Sequence, residues 1–555
     1  MPSYPYTPFP IRRAPELDGG QAAPRPVAIV GAGPVGLAVA IDLASRGVPS
    51  VVLDDNNVVS VGSRAICWAK RTLEIFDRLG VGERMVAKGV TWKLGRFYHR
   101  DREIYTIDLL PEDGHKMPAF INLQQYYVEH YLVDRCGDFP ELIDLRWKNR
   151  VVAVESRPDG ADLTVETPDG TYRLAAEWVL AADGARSGLR AALGLPFEGR
   201  TFEEKFLIVD IRVRTEFPNE RRFWFTPTFD PGESVLIHKQ PDDVFRIDFQ
   251  LGPDADSERE REPERVAARV KRIVGDVPFE LEWCSVYTFR CARTDRLVHG
   301  RIIFVGDSAH VVSPFGARGG NGGIQDVDNL AWKLALVVKG EAPAALIATY
   351  DEERGRGADE NITNSSRTTR FMTPKTMTER AFRDGVLALS ADLPFARGLV
   401  NGGRLSRPCR LDDLTLQTPL AEGAGAQVIG SACPDAPIET SGGDPAWLLS
   451  CLGAGFTVMV FADGADDLPA GLGQLPPSLH PLVVTSRPLD RPGLPVVVDA
   501  RGLVRARYAG SAGAVCLIRP DQHVAAWFRG FDPVAIAAAW DRACGRVPMA
   551  GRRAA

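Results

Sequence analysis

The sequence is most readily bounded by what it lacks. No apolar run reaches the roughly 18 residues needed to span a bilayer, and the start has no basic-then-apolar leader. The chain is therefore expected to act in the cytoplasm without a membrane partner. A net charge of −6 offers no basic footprint for nucleic acid. The nine cysteines are scattered, with no C-x-x-C pair and no metal-ligand spacing. In a reducing compartment they read as buried thiols, which leaves no disulfide framework and no metal site to expect. Cys67 stands apart only because it lies near a motif described below. Neither composition nor charge suggests disorder, and 555 residues suffice for two or three cores.

Residues 1–26 are crowded with proline and aromatics and read as an extended arm, on the body or on a partner subunit. Val27–Val30 is a short buried strand, Val35–Arg46 has helical spacing and Val51–Leu53 is a second strand, together a β-α-β unit. Ala65–Leu79 reads as a helix ended by Gly80. Pro-Asp-Gly turns at 158–160 and 168–170 divide a small meander, with Tyr172–Leu174 as its last strand. A separate buried strand is expected at Trp178–Ala182. From Thr201 to Phe289 apolar and polar residues alternate around a charged helix near Ser257–Val274. Period two predicts an antiparallel sheet with one wet face, joined by Thr91–Leu109. Arg301–Val305 is another buried strand, and helices follow at Ile324–Lys339 and Ala344–Arg354. A Gly- and Pro-rich stretch around Gly402–Gly430 precedes a last segment with four strands of its own.

Gly31-Ala32-Gly33-Pro34-Val35-Gly36 fits G-x-G-x-x-G between the first strand and its helix. Gly31 allows the tight turn, Gly33 lets backbone approach a pyrophosphate, and Gly36 lets helix and strand pack closely. The helix N-terminus, with Pro34 at its first position, favours phosphate. Asp54 ends the second strand, where a carboxylate can accept from ribose hydroxyls; Asp55 is the less favoured neighbour. The motif alone leaves FAD and a nicotinamide dinucleotide equally open. Asp183-Gly-Ala-Arg-Ser-Gly-Leu-Arg190 fits D-G-x-x-S-x-x-R after a buried strand. Gly306-Asp307 ends another, where a glycine lets the carboxylate approach a ribityl hydroxyl. The loop Pro314 to Asp326, with five glycines and one alanine among its first ten residues, opens a helix and offers several backbone N–H groups.

In this order the motifs resemble those of the class A flavoprotein aromatic monooxygenases, the family of p-hydroxybenzoate and phenol hydroxylases, and within it the 3-(3-hydroxyphenyl)propionate hydroxylase group. The resemblance covers Val27 to Arg370 well and the rest loosely. It implies an α/β fold: a Rossmann-like FAD-binding domain (27–90, 116–200 and 293–370), an inserted antiparallel-sheet substrate domain (91–115 and 201–292), a helical region and linker (371–425), and a thioredoxin-like domain (426–555). It implies that Gly31, Gly33, Pro34, Gly36 and Asp54 bind the adenosine half of FAD. Arg64 would lie along phosphate and ribose, and Gln125, or in the alternative register Gln124, near the ribityl chain. Asp183 and Arg190 would serve FAD and NAD(P)H, Asp307 the ribityl chain, and Pro314, Gly316, Gly319, Gly320 and Asn321 the isoalloxazine ring.

By the same resemblance, NADH or NADPH reduces the flavin, dioxygen adds to give a C4a-hydroperoxide, and a phenolic substrate is hydroxylated. The substrate wall is expected from Phe223-Trp224-Phe225, His238, Phe249 and Tyr287-Thr288-Phe289-Arg290, with Tyr287, Arg290 and His238 as catalytic candidates; ordinary core packing is the alternative for each. Ring-opening or polyketide-ring oxygenation, and a non-oxygenating FAD dehydrogenase, stay open. Three positions depart from the family pattern: Asp54 replaces glutamate, Arg318 replaces a glutamine, and Ile66 stands where phenol hydroxylases carry the aspartate that deprotonates substrate. The terminal segment, with Pro434-Asp-Ala-Pro437 and Ile518-Arg-Pro-Asp-Gln-His-Val-Ala525, resembles the thioredoxin-like domain of phenol hydroxylases. It lacks C-x-x-C, so a structural role and a homodimer contact are implied rather than disulfide exchange.

Overall fold

A computed structural model describes residues 4–547, apart from 20–22, 63, 231–233, 253, 401–404, 421, 422, 424 and 426. Part of the expected Gly402–Gly430 linker and residues 1–3 and 20–22 of the arm therefore lie outside the described residues. A mostly parallel sheet runs in the order Val298–His299, Ile302–Phe304, Gly170–Ala181, Arg25–Val30, Ser50–Asp54, Ile143–Trp147. Its central strands carry the continuous apolar runs Val27–Val30, Val51–Leu53, Trp178–Ala181 and Ile302–Phe304, because both faces are covered there. The helices Pro34–Ser45 and Gly319–Val338 pack over it, contributing Leu37, Ile41, Ile324, Val327 and Leu330 to a core with Val27, Ile29 and Val52. The two strands expected at Tyr172–Leu174 and Trp178–Ala182 are one, Gly170–Ala181. Its first half pairs antiparallel with Gly160–Thr167, its second half parallel with Arg25–Val30 and Ile302–Phe304. Ala175-Ala176-Glu177 contains no turn former to divide them.

The second large sheet has the order His310–Val311, Phe279–Arg293, Glu198–Val213, Val244–Leu251, Val235–Lys239, Glu220–Phe225, Leu94–His99, Arg102–Asp108. It is antiparallel except where Glu220–Phe225 meets Leu94–His99. The expected wet face is absent from its centre. One face, with Leu207, Val209, Ile211, Ile237, Ile247 and Phe249, is covered by Val266 and Val270 of the helix Pro263–Val274. The other, with Phe206, Ile208, Leu236, His238, Arg246 and Asp248, lines a cavity against the first sheet's loops.

Two elements differ from expectation nearby. The helix expected from Ala65 begins only at Lys70, because Cys67–Ala69 pairs as a strand with Phe120–Asn122, which also pairs with Val90–Trp92. The charged helix breaks at Pro263 into Ser257–Glu260 and Pro263–Val274. The N-terminal arm lies on its own chain: Phe9 stacks on Trp147 at 4.8 Å and Tyr4 meets Tyr126 at 4.4 Å. A third sheet of seven strands, from Pro437–Thr440 to Val524–Phe528, forms the terminal segment. Among the described residues no helix is long and apolar enough to cross a membrane.

Candidate active site

The turn after Arg25–Val30 is held by close contacts that only glycine tolerates. At Gly31 the backbone φ is +106°, and a Cβ would stand 2.4 Å from the Ala182 carbonyl oxygen. At Gly36 it would stand 1.9 Å from that of Gly31. At Gly33 a Cβ would meet nothing within 4 Å, so the helix Pro34–Ser45 presents its N-terminus, uncapped by any side chain, to open space. Such a cradle fits a dinucleotide pyrophosphate. Asp54 accepts from the backbone N–H of Ala32 at 2.6 Å and of Asn56 at 2.8 Å, which fixes the strand end beside the turn. Asp55 is exposed beside it.

Asp183 receives Ser187 Oγ at 2.9 Å and the Leu189 N–H at 3.1 Å through one oxygen, while its Oδ1 is buried without a partner among the described residues. Arg190 donates to the carbonyls of Ser308 (2.8 Å) and Ala185 (2.7 Å), tying the Asp183 loop to the Gly306-Asp307 loop. Behind that loop Asp326 accepts from Gly306 N–H (3.0 Å), His310 Nε2 (2.8 Å) and Arg354 Nε (2.6 Å). Asp307 itself opens onto the cavity but is otherwise surrounded by protein, which raises its carboxyl above the ordinary range. Asn321 joins the glycine loop to the strand Cys67–Ala69: its Nδ2 donates to the carbonyls of Cys67 (2.9 Å) and Ala317 (2.6 Å), and its Oδ1 accepts from Ala69 N–H (2.9 Å).

These loops converge on a cavity of about 440 Å³. Of the residues expected to hold cofactor, Gly33, Pro34, Arg64, Gln125, Asp307, Pro314, Gly319, Gly320 and Asn321 line it. Gly31, Gly36, Asp54, Asp183, Arg190 and Gly316 stand outside its lining, and several of them hold the turns that do line it. Of the two glutamines at 124 and 125, Gln125 lines the cavity. Its Oε1 accepts from Ala65 N–H at 3.2 Å and its Nε2 donates to the buried Glu129 at 2.8 Å. Gln124 is buried away from the cavity, where its Nε2 donates to the Pro241 carbonyl at 3.4 Å.

On the opposite wall, Phe223, His238, Tyr287 and Phe289 line the cavity. Arg290 does not. Strand alternation turns it outward, where it is exposed, lies 4.8 Å over the Phe197 ring and donates to the Phe197 carbonyl. The same parity sends Trp224 and Phe249 into the core under the Pro263–Val274 helix. His238 is buried, and burial with the adjacent Arg221 and Arg246 holds it well below its ordinary pKa, so its imidazole is neutral. Its Nδ1 lies 3.8 Å from Cys67 Sγ, whose thiol burial pushes up to about 12. The sequence reading missed Arg221, Arg246 and Asp248, which stand on this wall, and Asp210, which pairs with Arg246 behind it. Their only sequence signal was alternation with apolar residues.

A family model described as FAD binding domain matches residues 25–365. The 3-(3-hydroxy-phenyl)propionate/3-hydroxycinnamic acid hydroxylase of Mycolicibacterium smegmatis is 26% identical over 519 residues, 90% of each chain. The second such hydroxylase of Burkholderia vietnamiensis is 29% identical over 516 residues, 90% of this chain and 93% of that one. The flavin-dependent monooxygenase PieE, solved with FAD and substrate, shares the fold with a TM-score of 0.77 at 22% identity, over 95% of this chain and 99% of that one. The chain belongs to the FAD binding domain family and is an enzyme of the flavin-dependent aromatic hydroxylase group.

Proposed function

We propose that this protein hydroxylates a phenolic aromatic compound, with NADH or NADPH as reductant and dioxygen as co-substrate. The observation that carries the reading is a single cavity walled on one side by Asp307, Gly319, Gly320 and Asn321 and on the other by Phe206, Phe223, Tyr287 and Phe289. In that reading Gly31, Gly33, Pro34, Gly36 and Asp54 hold the adenosine half of FAD, and Asp183 and Arg190 brace the loops around it. Arg64 and Gln125 lie along its phosphates and ribityl chain, Asp307 binds the ribityl hydroxyls, and Pro314 and Ala317 to Asn321 line the ring. FAD, when bound, accepts the reductant's electrons and delivers them to dioxygen. The chain's own work is to orient an aromatic ring between Phe206, Phe223 and Phe289 and to keep water out. A dry site favours oxygen transfer over loss of peroxide. Tyr287 lies on the same wall within reach of a polar substituent. The terminal segment, resembling a thioredoxin-like domain without its cysteine pair, is read as structural, and a homodimer is the assembly proposed.

Turnover under isotopically labelled dioxygen tests this directly. With a panel of phenols that includes 3-(3-hydroxyphenyl)propionate, label is expected in the aromatic product. Consumption of NAD(P)H with no label in any product would refute an oxygenase and leave an FAD dehydrogenase.

A further inference from the structure

Four charged side chains belong to the polar face of the second sheet. Two neutralise each other: Arg246 Nε and Nη2 donate to the two oxygens of Asp210, at 2.9 and 2.8 Å across paired strands. The other two are left over. Asp248, across from Ile208 and Leu236, and Arg221, two residues before Phe223 on its strand, both line the cavity. Asp248 Oδ1 and Arg221 Nε are each buried with no hydrogen-bond partner among the described residues. A buried polar group without a hydrogen-bond partner is destabilising, and more so when charged. An acceptor and a cation left unsatisfied on one cavity wall match a ligand that presents a hydroxyl able to ionise.

Resting on the phenol-hydroxylating reading above, we propose that Asp248 accepts the proton of the substrate's phenolic hydroxyl while Arg221 holds the negative charge that develops on its oxygen. The phenol O–H bond breaks, a new O–H bond forms at the Asp248 carboxylate, and the electron pair stays on the phenolic oxygen, conjugated into the ring. The site's total charge is unchanged: carboxylate, guanidinium and neutral phenol become neutral carboxyl, guanidinium and phenolate. As the oxygenated ring recovers aromaticity, the C–H bond at the oxygenated carbon breaks and its proton leaves to water, its electron pair returns to the ring, and the carbonyl oxygen takes the proton back from Asp248, restoring the carboxylate. Ile66, lining the same cavity, offers no acceptor. His238 is a poor alternative, since a proton there would add a third cation beside Arg221 and Arg246. The groups facing Asp248 are Arg246 on its own strand, Asp210 and His238 on the two flanking strands, Arg221 one strand further, and the neutral thiol of Cys67. Burial dominates their balance and raises the Asp248 carboxyl to about 6, still ionised at neutral pH but a stronger base than an exposed aspartate.

Asp248→Asn keeps the shape and removes the acceptor charge. With the phenol that gives labelled product in the wild type, the variant is expected to retain FAD and phenol-stimulated NAD(P)H oxidation. Product per NAD(P)H should fall roughly a hundredfold, with peroxide in its place. Ring-fluorinated analogues of that phenol, which ionise more readily, should lose much less. In the wild type the yield should drop as pH falls through about 6 and Asp248 is protonated; this measurement needs no variant. Unchanged yield in Asp248→Asn, an equal loss with fluorinated and unsubstituted phenols, or a wild-type profile flat through that region overturns the assignment while leaving the hydroxylase reading intact. No labelled product from any phenol with the wild type overturns both.

Discussion

At Gly36 an added methyl would stand 1.9 Å from a backbone carbonyl oxygen, whereas at Gly33, three residues earlier, it would meet nothing within 4 Å. The two glycines therefore separate folding from binding. Gly36→Ala forces backbone apart, an overpacking that costs about 1–3 kcal/mol, and should lower the melting temperature of the FAD-free protein. Gly33 has an ordinary extended backbone, φ −74° and ψ −178°. Gly33→Ala should leave FAD-free stability within about 0.5 kcal/mol while weakening FAD binding roughly tenfold, about 1.4 kcal/mol. Thermal melts and FAD titrations of the FAD-free variants check both, and the reverse pattern would show that the open space is not the phosphate cradle. These turn residues were legible in the sequence because a tight turn at a strand end demands glycine at fixed spacing. Asp248 and Arg221 were not, since no turn or cap constrains them. Gln125 and Gln124 differ by one residue at a helix start, and only the three-dimensional turn decides which faces the cavity.

Along the strand Val244–Leu251 the pattern Val-Phe-Arg-Ile-Asp-Phe-Gln-Leu alternates as cleanly as any strand with a solvated face. Alternation reports that the two faces differ, not what lies against them. Here the polar face meets a cavity, and the residues the pattern would assign to water form its wall. The same parity argument explains why Tyr287 and Phe289 line the cavity and Arg290 does not. Between helices the charges are again internal. Glu353, on Ala348–Met372, is fully buried with Lys333 Nζ of Gly319–Val338 at 2.7 Å and Arg519 Nη1 at 2.6 Å. Burial works to raise its carboxyl, but Arg519 and Lys333 outweigh that and hold it far below the ordinary range. A folded-state value below the unfolded one, about 4.3 for glutamate, means that the stabilisation is complete above that pH and is lost as pH falls beneath it. Glu353→Gln leaves two buried cations short of a partner and should cost about 3–5 kcal/mol at neutral pH. Urea unfolding at several pH values should also show a shallower acid-side decline in the variant; parallel curves would mean Glu353 titrates alike in both states.

The network reaches beyond those two helices, and it decides how the molecule comes apart. Arg519 and Asp521 belong to the terminal segment, yet Trp332 Nε1 donates to Asp521 Oδ2 at 3.1 Å and Arg71 donates to the Asp521 carbonyl at 2.8 Å. Trp332 and Leu346 also share a buried cluster with Phe456, Val458 and Val460 of the terminal sheet, Trp332 meeting Phe456 edge-on at 5.6 Å. A composition break at a Gly- and Pro-rich linker reads as a domain boundary, but composition says nothing of the surface two units later share. Ending the chain after residue 420 would expose Trp332 and Leu346, each worth about 1.5–3 kcal/mol. It would also strip Glu353 of Arg519, and the sum approaches the 5–15 kcal/mol net stability of a typical domain. The truncated chain should therefore be insoluble or unable to retain FAD. For the same reason the intact protein should melt in one transition, with flavin release and loss of the terminal sheet coinciding in calorimetry and tryptophan fluorescence. Two resolved transitions, or a soluble yellow fragment ending at 420, would show that the shared core and charge network do not couple the units.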